Sequence, residues 1–309
     1  MNQRTLLMHQ VMLGDRVRLD AYDKALSEVV TPGAVVADVG AGTLAITALA
    51  LRHGAGHVYA VEADPEVAAL AQLIIEANGW ADRVTLVPGD ARTVRLPRQV
   101  DVIVAELMGN LGPEEDMGRL LRVFARRSLR RGGAVVPERL VTRLAPVQFD
   151  DEGWGVWRDG LLGMRLDVVQ HHAAPTAQLH FFARPPTVLG EPSVLADSTE
   201  RDGVVRADQT LMLQVTRSGT LHALAGYFQA QLVPGVSLSN FPSYPGCNWA
   251  VWIWPLRHAR VEPGDTIRAR VRKPERGRVV TDWRVECQLS RKTNGNGGHD
   301  DALCRGFGP

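Results

Sequence analysis

Apolar and polar residues follow two regimes along this chain, and the change comes at Pro137. Before it, short apolar runs at 35–39, 57–61, 83–87, 100–105 and 133–136 take turns with stretches of helical spacing at 44–53, 65–78 and 114–129. A brief apolar run bounded by turn residues reads as a buried strand, and apolar residues three and four apart read as one helix face. Strand–helix alternation at this spacing predicts a doubly wound, mostly parallel sheet. Upstream, Leu6, Val11, Met12, Leu13, Val17 and Leu19 predict one or two amphipathic helices within residues 4–27, and Thr31, Pro32 and Gly33 end them. After Pro137 the helical patterns thin out. Segments 139–149, 209–217, 221–232, 247–256, 266–273 and 279–289 read as strands separated by Pro and Gly, which predicts a barrel or sandwich. Segment 150–182, with Trp154, Trp157, Leu161 and Leu162, reads as a helical insertion, and the Gly-, Asn- and Asp-rich residues 290–309 as a disordered tail. The expected division is 1–30 N-terminal helices, 31–137 a Rossmann-like α/β domain, and 138–289 a β-barrel domain.

Composition narrows the partners. The 309 residues are 45% apolar and 22% charged, enough to bury a core, and a net charge of +1 gives no global field to attract nucleic acid or a membrane. No apolar run reaches the length of a membrane-spanning helix, and the N-terminal region shows no signal-peptide pattern. The cysteines, Cys247, Cys287 and Cys304, lack metal-ligand spacing, and the pair His171–His172 has no second ligand cluster nearby, so no metal is expected. Reduced thiols in a cytoplasmic protein are the simplest reading.

The most informative stretch is residues 35–43, an apolar strand carrying Asp38 that runs into Gly40, Ala41 and Gly42. Glycines let a backbone approach a ligand where a Cβ would clash. The next apolar strand ends in Glu62, an acid placed to hold a ribose diol, and Asp90 after the third strand is placed to reach an adenine amine. Dinucleotide sites use a third glycine to seat a pyrophosphate on the helix N-terminus. Here Ala45 and Ile46 occupy that register, and Asp38 would repel a pyrophosphate. S-adenosylmethionine, with a sulfonium, an ammonium, a ribose and no phosphate, suits these acids better than NAD. The fourth strand then delivers Glu106, followed by Leu107 to Pro113 and the acids Glu114, Glu115 and Asp116. The acids after Pro113 are natural helix-start residues. Alternatively, a hairpin loop brings Glu106 and Glu115 together to grip a cationic nitrogen and take up its proton.

Glu106 and Glu115, nine apart with Met108 and Gly109 between them, resemble the double-glutamate loop of the protein arginine N-methyltransferase family. The resemblance runs from about His9 to residue 289. By it, the fold is a class I methyltransferase domain followed by a β-barrel. Arg18 would bind the cofactor carboxylate, and Met12 and Tyr22 would line the site. Asp38, Gly40 and Gly42 would form the cofactor loop, and Met108 and Trp249 would lie on the acceptor side. The departures concern the substrate. The family's third loop glycine is Leu44, its adenine-binding glutamate is matched by Arg92, and its Thr-His-Trp loop reads Cys247, Asn248, Trp249. Asn248 cannot form the family's histidine ion pair with Asp15, which leaves Asp15 for the substrate or Asn248 itself. A rebuilt acceptor pocket with a retained nitrogen clamp implies a small polyamine acceptor, and the resemblance extends to the amino-sugar N-methyltransferases of gentamicin-type aminoglycoside biosynthesis. The expectation is therefore S-adenosylmethionine-dependent N-methylation of an amino sugar, releasing S-adenosylhomocysteine. The alternatives are arginine methylation, free or in protein, and a non-catalytic cofactor-binding partner. A homodimer through the 150–182 insertion is implied by the resemblance alone.

Overall fold

The computed structural model describes residues 3–115, 117–149, 162–165, 168, 176–199, 205–241, 249–274, 279–292 and 300–304. Two helices open the chain, α1 (Gln3–Gly14) and α2 (Arg16–Val29). There follow β1 (Val35–Val39), α3 (Ala45–Arg52), β2 (His57–Glu62), α4 (Pro65–Ala77), β3 (Val84–Pro88), β4 (Val100–Ala105), α5 (Met117–Ser128) and β5 (Leu129–Val136). The five strands form a parallel sheet in the order β3-β2-β1-β4-β5. All five residues of β1 are buried, as expected of a central strand covered on both faces. From β1 the chain steps outward to β2 and β3, and then returns to place β4 on the other side of β1. The strand order therefore reverses between β1 and β4, and in open α/β sheets the ligand crevice lies beyond the carboxyl ends at that point.

Local chemistry accounts for the element ends. Asp64 caps α4 by accepting from the backbone N–H of Glu66 and Val67, with Pro65 in the first turn. Asp15 caps α2 by accepting from the N–H of Arg18. The stretch expected as one helix over 114–129 divides instead into a 3₁₀ turn, Pro113–Glu115, and α5, because the Glu114 side chain folds back onto its own loop. Helix α1 forms but buries none of its residues, so its apolar side chains do not reach the core.

Beyond Pro137 the protein is antiparallel. The strands are β6 (Arg139–Gln148), β7 (Gln178–His180), β8 (Thr187–Val188), β9 (Ser193–Asp197), β10 (Asp208–Gln214), β11 (Gly219–Val233), β12 (Val236–Ser239), β13 (Val251–Val261), β14 (Thr266–Arg272), β15 (Arg284–Ser290) and β16 (Asp300–Cys304). One sheet runs β7-β13-β11-β6-β8, with β12 on β11 and β9 on β6, and a second runs β10-β14-β15-β16. The two close on a common core in which Leu144, Leu224 and Trp254 of the first meet Ile267, Val271 and Leu289 of the second. This is the β-barrel domain the sequence predicts. Strands β7, β8, β9, β12 and β16 were not expected. They are two to five residues long, too short for alternation to show. Strand β16 also corrects the expectation of a wholly disordered tail, since its backbone pairs with β15. Of the expected helical insertion 150–182, Trp154, Trp157, Leu161 and His171–His172 lie outside the described residues, and its end forms the strand β7, paired with β13, instead of helix. The apolar cluster of the parallel unit continues without a break into Leu140, Phe228, Leu232 and Leu238 of the barrel, so the two units share a packed boundary. Among the described residues no helix is long and apolar enough to cross a membrane.

Candidate functional site

One wall of the crevice is the turn from β1 into α3. Gly40 and Gly42 both have positive φ, 76° and 53°. A Cβ on Gly40 would lie 2.5 Å from Leu107 Cδ2, so the glycine lets the loops after β1 and β4 approach each other. Leu44, where the family has its third glycine, is also left-handed at φ 67° and is almost fully buried. Its packing holds a backbone conformation that leucine rarely adopts. Glu62 reaches the turn from the tip of β2. Its Oε2 accepts from the Gly42 N–H at 2.9 Å and its Oε1 from the Asp64 N–H at 2.9 Å. The structure thus joins Gly40, Gly42 and Glu62 as expected.

Asp38 lies beneath this turn. It is 1% exposed and accepts from the Thr47 hydroxyl at 2.7 Å through Oδ2, while Oδ1 is buried without a partner. Burial pushes its carboxyl up to about 7, opposed by the Thr47 hydrogen bonds and reinforced by nearby Glu62. An orphaned carboxylate oxygen beside a second carboxylate suits a ligand with a hydroxyl or cationic end and opposes a pyrophosphate. The residues present therefore fit S-adenosylmethionine and disfavour NAD.

The other wall is the tip of β4. Arg18 Nη1 donates to Glu106 Oε2 at 2.6 Å, with the two side chains only 9% and 12% exposed. Arg18 Nη2 donates to the Met12 carbonyl, and Glu106 Oε1 accepts from the Met108 N–H at 3.1 Å. Burial raises the Glu106 carboxyl above its usual range, and Arg18 is the main opposing influence. Trp249 donates from Nε1 to the Met108 carbonyl at 2.9 Å and presents its ring to Arg18, 5.5 Å from the guanidinium carbon to the centroid. Met12, Arg18, Glu106, Met108 and Trp249 therefore meet at one place.

Two residues expected to touch substrate do other work. Tyr22 is fully buried and donates to the Ala105 carbonyl at 2.9 Å, so it braces β4 from within the core instead of lining the pocket. Asp15 is 3% exposed and oriented by its cap to α2. Burial and that cap fix Asp15 at the start of α2, beside Arg18. Asp90, expected at the adenine amine, is engaged by its neighbour Arg92. Its carboxylate is bound by the Arg92 side chain, with Nε at 3.0 and 2.9 Å from its two oxygens, and by the Arg92 N–H at 2.8 Å. Arg92 also holds the Asp90 carboxyl below its usual value. Asn248 lies outside the described residues, as does the Glu115 side chain.

Sequence reasoning missed the way the loop after Glu106 is held. Glu114 accepts from the Leu111 N–H through both oxygens, at 2.9 and 2.8 Å, and from Trp252 Nε1 at 2.9 Å. A Cβ on Gly109 would collide with the Glu114 carboxylate, which explains glycine there. Asn240, 4% exposed, accepts from the Phe228 N–H at 2.9 Å and donates to the carbonyls of Asn110 at 2.7 Å and Ala250 at 2.8 Å. Through Asn240 and Trp252 the barrel fixes a loop of the α/β unit. The only local signal was Gly109 five residues before Glu114.

Residues 8–133 match the PRMT5 arginine-N-methyltransferase family. Over this stretch and beyond it, the chain is similar to protein arginine N-methyltransferases. It is 29% identical over 277 residues to the arginine N(omega)-methyltransferase of Streptomyces achromogenes subsp. streptozoticus, covering 85% of this chain and 75% of that protein. It is 33% identical over 146 residues to the probable protein arginine N-methyltransferase 6 of Arabidopsis thaliana, covering 47% of this chain but only 33% of that one. The match thus spans about a third of the length of this relative and of the rice probable protein arginine N-methyltransferases 6.1. Arabidopsis thaliana protein arginine methyltransferase 10 superposes with a TM-score of 0.77 at 21% identity, covering 96% of this chain and 97% of that one. The Trypanosoma brucei PRMT1 enzyme-prozyme complex with AdoHcy gives 0.75 at 20% identity, covering 96% and 98%. These likenesses establish the two-part fold for the whole described chain.

Proposed function

We propose that this protein is an S-adenosylmethionine-dependent N-methyltransferase whose acceptor is the guanidinium of arginine, free or in a polypeptide. The observation that carries the reading is the convergence of two acidic walls at one switch point, Asp38 with Glu62 below and Glu106 above. The names of its relatives favour arginine, the Streptomyces enzyme most of all because it aligns along most of the chain. Nothing in the comparisons supports the amino-sugar acceptor expected from the sequence.

In this reading the cofactor supplies an electrophilic methyl group on sulfonium sulfur. Glu62 takes the ribose hydroxyls, and Asp38 faces the cationic end, by their places around Gly40–Gly42. Arg18 takes the cofactor carboxylate and favours the ionised form of Glu106 against the effect of burial. Glu106 accepts an N–H of the acceptor, aims the nitrogen at the methyl, and takes the proton released as the N–C bond forms and the S–C bond breaks. Glu115 serves as the second carboxylate, by its place in the sequence and because Glu114 is committed to Leu111 and Trp252. A homodimer, expected from the resemblance, belongs to the same proposal.

The test is transfer of label from S-adenosylmethionine to free arginine, an arginine-rich peptide and an aminoglycoside panel. Label is expected in arginine or peptide, and Glu106→Gln should abolish it while S-adenosylhomocysteine still binds. Label confined to an amino sugar would overturn the arginine assignment. Cofactor binding with no transfer to any acceptor would favour a non-catalytic partner.

A further inference from the structure

The strands that carry the candidate active site on one face carry a second feature on the other. Side chains alternate across a strand. On β6 and β11, Leu140, Thr142 and Phe228 point toward the loop after Glu106. Thr142 donates to the Leu111 carbonyl at 3.1 Å, and a Cβ on Gly112 would meet Phe228 and Leu140. Arg139, Arg143, Gln229 and Gln231 point the opposite way. With Ser237 and Ser239 of β12 they line a groove of about 370 Å³. The pairing Gln231 with Arg139 and Ser237, and Gln229 with Ser239, lays these polar side chains in rows across three strands.

The hydrogen-bond inventory of the groove is one-sided. Arg139 is neutralised by Asp197, which also accepts from the N–H and hydroxyl of Thr199. Gln231 Nε2 donates to Glu138 at 3.1 Å, and the Ser239 hydroxyl donates to the Phe228 carbonyl at 2.7 Å. Arg143 differs. Its Nε donates to Gln229 Oε1 at 2.6 Å, which fixes the plane of the guanidinium, and no carboxylate of a described residue meets its two Nη groups. That same bond leaves the Gln229 amide N–H groups as donors, and Ser237, exposed at the rim, adds a hydroxyl. A half-buried, oriented guanidinium fork flanked by an amide and a hydroxyl, with the nearby carboxylates otherwise engaged, is the donor set of an oxyanion site.

We propose that this groove binds a small oxyanion, the carboxylate or phosphate group of a metabolite, through bidentate contact with Arg143 supported by Gln229 and Ser237. The site lies back to back with the candidate active site across one sheet, so the ligand is not the methyl acceptor or its cofactor. The volume suits a compound of metabolite size.

The test is thermal denaturation with increasing citrate or inorganic phosphate, against chloride at matched ionic strength. A saturable rise in Tm is expected with at least one of them, since a ligand bound only by the folded state stabilises it by mass action. Arg143→Gln should weaken that response at least tenfold, and Ser237→Asp, a change at an exposed position, should do the same by placing a like charge in the groove. Arg268→Gln, an exposed arginine on the other sheet, should leave it unchanged. Citrate alone acting would identify a carboxylate ligand, and phosphate alone a phosphate ester. No saturable rise beyond chloride, or an undiminished one in Arg143→Gln or Ser237→Asp, would overturn the proposal. S-adenosylhomocysteine titrated in parallel reports on the methyltransferase reading separately, and its effect should add to that of the anion.

Discussion

Replacing Glu114 by alanine tests which of two adjacent acids is structural. In the folded protein its carboxylate serves two buried donors, the Leu111 N–H at 2.8 and 2.9 Å and Trp252 Nε1 at 2.9 Å. Leu111 is fully buried and Trp252 is 8% exposed, so water cannot readily replace the lost acceptor. A buried donor left unpaired costs about 1–3 kcal/mol, which gives roughly 2–6 kcal/mol for the pair. Part of this is offset, because burial already disfavours the charged Glu114 and raises its carboxyl above the usual range. A net loss of about 2–3 kcal/mol is expected in urea unfolding followed by tryptophan fluorescence. Glu115→Ala should abolish transfer. The reasoning also predicts coupling. Gly109→Ala should be strongly destabilising alone, because its new methyl collides with the Glu114 carboxylate, and much less so in the Glu114→Ala background. Additive effects of the two changes, or a loss below about 0.5 kcal/mol for Glu114→Ala, would refute the account.

Two further outcomes follow from buried polar groups. Asp38 titrates near 3.8 when unfolded and is pushed up to about 7 when folded, so the protein favours its protonated form. Its contribution is then fully present below about pH 4 and lost as pH rises through 7, by up to ~4 kcal/mol in total. The cofactor-free Asp38→Asn variant should therefore gain stability over the parent between pH 4 and pH 8, and equal pH profiles of the urea midpoints would contradict this. Asn240→Leu leaves the Phe228 N–H and the carbonyls of Asn110 and Ala250 without their partner. It should cost about 2–4 kcal/mol by the same unfolding assay and reduce turnover through the displaced loop, and a neutral effect on both would remove Asn240 from the account.

Much of the site was legible because its parts sit in local patterns. An apolar strand ending at Gly40–Gly42, a second ending in Glu62 and a fourth ending in Glu106 identify the switch point of a doubly wound sheet before any coordinates are considered. Those positions depend on strand ends, and strand ends are marked in sequence by the change from apolar to turn residues. The caps Asp15 and Asp64 were not read from the sequence, although each is an acid immediately before its helix.

What the sequence determined by itself is the order of elements, the change of architecture at Pro137 and the acids lining the crevice, since each rests on residues close together in the chain. The roles of Tyr22, Asp90, Glu114 and Asn240 were decided by tertiary structure. Tyr22 meets Ala105 and Asn240 meets Asn110 only once distant segments pack, and Glu114 is separated from Leu111 by three residues but is locked by Trp252 from the barrel. Whether a polar side chain serves a ligand or the fold depends on which donors and acceptors packing leaves unpaired around it, and periodicity carries no record of that. The donor-rich groove at Arg143 has the same origin, for it exists only because strands 86 residues apart in sequence place Arg143 beside Gln229.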